Sequence, residues 1–120
     1  MEELKISIEP SSDLSNTHVA YFDGDFDGGA ATSLTDLQSF VDNATPKTKL
    51  ILEFSKLNFL NSYAIGHLVA WHQHLTSLGG EVVIVGTNKN VEDIFAIVGI
   101  SKLFKIFPDL STAIADFKNA

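Results

Sequence analysis

The sequence contains no cysteine and no arginine. Without thiols there is no disulfide framework and no thiolate to act as nucleophile or metal ligand. All eight basic residues are lysines. Arginine is the usual bidentate reader of phosphates and base edges, so nucleic-acid binding is disfavoured. Positive charge is scarce as well: 15 acidic against 8 basic residues leave a net charge of −7. That balance repels anionic lipid and nucleic acid alike and favours a protein partner with a basic face. No apolar run approaches the ~20 residues of a membrane-spanning helix, so no direct membrane insertion is expected. The start, Met1-Glu2-Glu3, lacks the basic and apolar blocks of a signal peptide. A cytoplasmic location is the expectation.

Phosphate-cradling glycine loops are missing too. Gly79-Gly80 follow a helical pattern instead of preceding one, and Gly24, Gly28 and Gly29 match neither nucleotide fingerprint. Ser62 follows a strand and opens a helix, as a hydrolase nucleophile would. The local sequence Leu60-Asn61-Ser62-Tyr63-Ala64 is nevertheless not G-x-S-x-G, and no histidine lies late in the chain. His67, His72 and His74 share one helix without the i, i+4 pair of a helical zinc site. His72 points into the apolar stripe at the edge of the core, and the other two are expected in solvent. The run Asp23-Gly24-Asp25-Phe26-Asp27-Gly28 opens like a calcium loop, but its twelfth position is Leu34, where a bidentate Glu is required, and a strand precedes it. No enzyme chemistry, metal or cofactor is supported.

What is present is a 120-residue chain, 45% hydrophobic and 19% charged, the size and balance of one globular domain over residues 1–120. Residues 4–8 alternate apolar and polar, and residues 17–23 resume β-type side chains; the two segments predict a hairpin. A helix over 29–43, begun at Asp27 or Thr32, turns Ala30, Leu34, Leu37, Phe40 and Val41 to one side. Residues 49–54 (KLILEF) are nearly continuous apolar, the mark of a central strand covered on both faces. A long helix follows from Ser62, with Ile65, Leu68, Val69, His72 and Leu75 inward, and stops at Gly79-Gly80. Residues 81–86 form another buried strand. Residues 90–98 form a helix with Val91, Ile94, Phe95 and Val98 inward, ended by Gly99. A short strand at 104–107 and a last helix capped by Ser111 close the chain. The expected fold is a small α/β domain: a mixed, mostly parallel sheet of four to five strands with about four helices.

The long helix carries a second face of Ala64, His67, Trp71, His74 and Leu78. An outward tryptophan is a frequent interface anchor; the alternative is that Trp71 folds down over the domain edge.

Taken in order, several segments resemble the STAS family, and within it the anti-sigma factor antagonists of bacteria. Gly24-Asp25-Phe26-Asp27 is similar to the early G-x-x-D segment. Leu50-Ile51-Leu52-Glu53-Phe54 is similar to V-x-L-D-L. The stretch Phe59-Leu60-Asn61-Ser62-Tyr63-Ala64-Ile65-Gly66 is similar to F-x-D-S-[ST]-[GA]-[LI]-G, with Asn61 in place of the acid and Tyr63 in place of Ser or Thr. Leu78-Gly79-Gly80-Glu81 and Phe95-Ala96-Ile97-Val98-Gly99-Ile100 complete the pattern. The resemblance implies that Ser62 is phosphorylated by a partner anti-sigma factor that is also a serine kinase, that phosphate blocks binding, and that a PPM-type phosphatase removes it. With the outward helix face added, the expected partner surface is Asp25, Asp27, Asn61, Ser62, Tyr63, Ala64, His67 and Trp71. Asn61 and Tyr63 motivate a second expectation, an interaction module without phosphorylation, as a scaffold subunit or the soluble partner of a lipid transporter. A small-ligand or nucleotide sensor is permitted by the fold, with no residue pointing to it.

Overall fold

The computed structural model describes residues 3–30 and 32–119. Its elements are β1 (Lys5–Pro10), β2 (Thr17–Phe26), α1 (Thr35–Asp42), β3 (Lys49–Leu60), α2 (Ser62–Ser77), β4 (Glu81–Val85), α3 (Lys89–Val98), β5 (Ile106–Phe107) and α4 (Leu110–Lys118). Short 3-10 turns occupy Gly28–Ala30 and Ile100–Lys102. The strands lie side by side in chain order; β1 is antiparallel to β2 and the other neighbours are parallel. The mixed, mostly parallel sheet with an opening hairpin agrees with the sequence expectation.

This order dictates the layers. Every parallel connection joins adjacent strands in the same direction, so right-handed crossovers put α1, α2 and α3 on one face. Leu37 and Val41 of α1, Leu68, Trp71 and Leu75 of α2, and Val91 and Phe95 of α3 accordingly share one core with Phe22, Leu50, Leu52, Phe54 and Ile84. On the opposite face, Ala113 and Phe117 of α4 cover Val19, Ile51, Val83 and Val85. The centres of β3 and β4 are thus buried on both sides, which explains their unbroken apolar runs.

The structure corrects several boundaries. β3 runs past Phe54 to Leu60, beyond the end of β4, whose Val85 sits opposite Glu53. Its outer part pairs with β2 alone, across register shifts between Tyr21 and Asp23 and between Gly24 and Asp25. Gly24 is required there: φ is +116° and a Cβ would sit 2.5 Å from the Glu3 carbonyl oxygen. α1 starts at Thr35, because Gly28 and Gly29 are poor helix formers and the chain turns through a 3-10 segment first. Asp27 and Thr32 serve that approach instead of the helix: Asp27 Oδ1 accepts the Gly29 N–H at 2.8 Å, and the Thr32 carbonyl accepts the Thr35 hydroxyl at 3.0 Å. The side chain of Ala30, expected on the apolar face, lies outside the described residues. Val98, expected inward, is exposed, since α3 ends there at left-handed Gly99. Asp109, not Ser111, caps α4. Its carboxylate accepts the Thr112 hydroxyl at 2.7 Å and N–H at 2.9 Å, and these bonds, with that from Ser111, hold its pKa below the usual carboxylate value.

The C-terminal end of α2 is tied down firmly. Gly79 adopts φ +78°, and the Gly80 N–H donates to the Leu75 carbonyl at 2.8 Å. The Lys47 N–H donates to the Leu78 carbonyl at 2.8 Å, and the Glu81 N–H to the Thr48 carbonyl at 3.2 Å. Thr48 is buried, its hydroxyl 2.8 Å from the Thr45 carbonyl and 3.1 Å from Asn16 Oδ1.

Candidate functional site at the start of α2

The parallel strands deliver their C-terminal ends to one rim, where crevices of open α/β sheets form. Leu60 pairs with Phe26 and Phe59 with Asp25, so the ends of β2 and β3 arrive together. The Asn61 N–H donates to the Phe26 carbonyl at 3.3 Å and closes the rim. Asn61 then leaves the strand in an extended conformation, and its Oδ1 accepts the N–H groups of Tyr63 at 3.0 Å and Ala64 at 3.4 Å. It is the N-cap of α2. The amide alone satisfies two of the four free N–H groups at the helix start with one side chain. Ser62 stands at the first helical position with its side chain exposed and outside the cap. No acidic residue occupies the first turn, so no charge within the helix offsets the positive end of its dipole.

Asp25 and Asp27 are half-buried on the same rim, at and just after the end of β2. Tyr63 is half-buried, its ring 4.7 Å from His67 and 6.5 Å from Phe26. His67 also lies 5.7 Å from Trp71 and 6.2 Å from Phe26, so the expectation of a solvated histidine is corrected; His74 is exposed as expected. Tyr63, His67 and Trp71 thus form a ladder at four-residue spacing that descends from the rim into the core. His72 is half-buried 5.0 Å from Phe104.

Two expected surface residues are not on the surface. Ala64 is fully buried and Trp71 is 1% exposed. Trp71 stacks over Phe26 at 6.0 Å and donates from Nε1 to Gln38 Oε1 at 2.9 Å, which ties α2 to α1. The inward line of α2 is Ala64, Leu68, Trp71 and Leu75. That 4-3-4 spacing is present in the sequence, but apolar residues lie almost all around this helix and hide its phase. The rim therefore brings together Asp25, Asp27, Asn61, Ser62, Tyr63 and His67, while Ala64 and Trp71 support it from beneath. Sequence reasoning missed Gln38, the partner that satisfies the indole N–H of a buried tryptophan.

The sequence matches the STAS domain family over residues 12–113. The chain belongs to the STAS domain family. A Thermotoga neapolitana protein named as a homologue of the anti-sigma factor antagonist TM1081 is 26% identical over 68 residues, 57% of this chain and 60% of that protein's length. A crystal structure of an anti-sigma factor antagonist from Mycobacterium paratuberculosis superposes with a TM-score of 0.79 at 22% identity, covering 95% of this chain and 93% of the other. The Bacillus cell fate determinant SpoIIAA, in its phosphorylated form, superposes with a TM-score of 0.69 at 18% identity, covering 93% and 98%. These likenesses show the STAS fold. Among the described residues no helix is long and apolar enough to cross a membrane, and no cluster of three or more His, Asp or Glu could hold a metal ion.

Proposed function

We propose that this protein is an anti-sigma factor antagonist-like regulator of bacterial transcription, a cytoplasmic binding protein and not an enzyme. In its unmodified state it binds an anti-sigma factor that is also a serine kinase and so frees the sigma factor. Phosphate on Ser62 ends that binding, and a PPM-type phosphatase restores it. The observation that carries this reading is the exposed Ser62 hydroxyl at the first position of a 16-residue helix whose cap is provided by Asn61. The serine is left free for modification because the helix does not depend on it. The added phosphate brings roughly −1.5 to −2 charge at neutral pH. The helix end tolerates that charge within the domain, while the phosphate adds bulk and charge to the rim that the partner contacts. Incubation with a cognate kinase-type anti-sigma factor and ATP, followed by mass spectrometry, should place a single phosphate on Ser62. Label elsewhere, or none, sinks the proposal.

A second reading is favoured by the two residues flanking the serine. Asn61 replaces the family's acid, and Tyr63, bulky where the family is small, packs on His67 and Phe26. Under it the rim binds a partner constitutively, in a scaffold or beside a transporter. Ser62→Asp and Ser62→Ala would then bind that partner equally well, whereas the phosphoswitch requires Ser62→Asp to weaken binding.

A further inference from the structure

β1 is one of the two edge strands of the sheet. β1 ends the strand order, and among the described residues no strand pairs with its far side. The direction of its backbone groups follows from one bond. The Ser11 N–H donates to the Thr17 carbonyl at 2.8 Å, and the β1–β2 register runs without a shift from Lys5 opposite Asp23 to Pro10 opposite His18. Hydrogen-bonded pairs in an antiparallel ladder recur every second residue. Lys5, Ser7 and Glu9 therefore direct their backbone groups toward β2, and Ile6, Ile8 and Pro10 direct theirs outward. Proline sits where its missing N–H interrupts nothing inside the sheet. Ile6 and Ile8 are only half-buried, and Lys5, Ser7 and Glu9 are exposed. Neither Lys5 nor Glu9 makes a salt bridge among the described residues.

We propose that this edge pairs with the same edge of a second copy, antiparallel about a two-fold axis at Ser7, with Lys5 of each copy facing Glu9 of the other. The segment Lys5-Ile6-Ser7-Ile8-Glu9 is self-complementary when reversed. Ile6 of one copy then exchanges both backbone hydrogen bonds with Ile8 of the other, and the half-buried isoleucines cover one another. The two Lys–Glu contacts and the Ser7–Ser7 contact fall at non-hydrogen-bonded positions, where side chains approach most closely. The neighbouring registers lack this match. Centred on Ile6, the pairing sets Glu9 against Glu3; centred on Ile8, it sets Lys5 against Ser11. Charge thus selects one register, and the symmetry is isologous and closed, so pairing stops at the dimer. The result is one continuous sheet through both copies, with the α2 rim two strands away from the join. A net charge of −7 on each copy opposes association at long range, so the dimer is weak and forms at high concentration.

Charge exchange tests this. Sedimentation velocity over micromolar to millimolar concentrations should show a concentration-dependent dimer for the natural sequence. Lys5→Glu sets two carboxylates against each other at both contacts, and Glu9→Lys sets two ammonium groups against each other; each should weaken association about ten- to a hundredfold. Mixing the two variants brings opposite charges together at both contacts and should restore a heterodimer, which also shows that both variants are folded. A natural sequence that stays monomeric at millimolar concentration overturns the proposal. So do single variants that associate like the natural sequence, or a mixture that does not recover.

Discussion

The two ends of α2 are built in opposite ways. At its C-terminal end the chain is locked: Gly80 lies against the Thr48 backbone, and the buried Thr48 hydroxyl shares a network with Thr45 and Asn16. Among the described residues, the two non-glycine residues with positive φ, Asn16 at 55° and Lys47 at 66°, both belong to this end. At its N-terminal end a single amide makes the cap and Ser62 projects into solvent. Backbone strain in many proteins gathers at functional sites. Here it gathers at the frame, and the candidate site is unstrained. The difference teaches a division of labour: one end fixes where the helix lies, so the other can carry a chemical change without moving it.

Gly80→Ala is the harshest test of the locked end. A Cβ there would lie 2.0 Å from the Thr48 carbonyl oxygen, which is backbone and cannot swing away. Urea unfolding should show a loss of about 3 kcal/mol or more, or no folded protein. A variant as stable as the natural sequence would mean that the two ends differ less than described. Thr48→Val probes the same end more gently. It keeps the volume and removes the hydroxyl from Asn16 and Thr45, at a cost of about 1–2 kcal/mol in the same measurement.

The locked end is also the more legible one in the sequence. Leu78-Gly79-Gly80 announces a helix stop, and the apolar runs of β3 and β4 announce strands covered on both faces, because burial on both sides leaves no choice of residue. The rim is harder to read. Asn58 and Phe59 look like loop, since the outer part of β3 pairs on one side only and its burial pattern breaks up after Phe54. Serine and asparagine compete for the cap of α2, and only the backbone geometry decides between Ser62 and Asn61. Trp71 looks outward because its partner, Gln38, sits 33 residues away. Position in the chain is legible; the choice between neighbouring polar residues, and long-range partners, is not.

Asn61→Ala removes the cap from the presented end. Thermal and urea unfolding should report a loss of ~1 kcal/mol, smaller than at either locked position. Asn61→Asp separates hydrogen bonding from charge. The carboxylate keeps the cap and adds a favourable interaction with the helix dipole, a gain of about 0.3–1 kcal/mol at neutral pH. Its folded-state pKa would lie below the unfolded value, so the gain is present above the ordinary carboxylate range and is lost as pH falls through it. If Asn61→Ala instead cost as much as Gly80→Ala, the rim would be part of the frame.

The smallest stability effect is expected at Ser62, the residue on which the proposed switch turns. Ser62 takes no part in the cap, so Ser62→Ala should leave stability within about 0.5 kcal/mol of the natural sequence. A loss near ~1 kcal/mol, the usual worth of a cap, would instead make the hydroxyl a structural group and erase the contrast between the ends. The neutral cap gives this position its meaning. An aspartate at position 61 would already satisfy the helix dipole, and a phosphate on Ser62 would arrive beside a second negative charge. With Asn61 the cap itself is neutral, so the phosphate meets a helix dipole that no first-turn acid offsets. Phosphorylated protein should therefore unfold at the same urea concentration as the unmodified form or slightly above it, while Asn61→Asp should turn that small gain into a loss. The replacement of the family's acid by asparagine is then compatible with a working switch, one in which the helix end itself accommodates the charge.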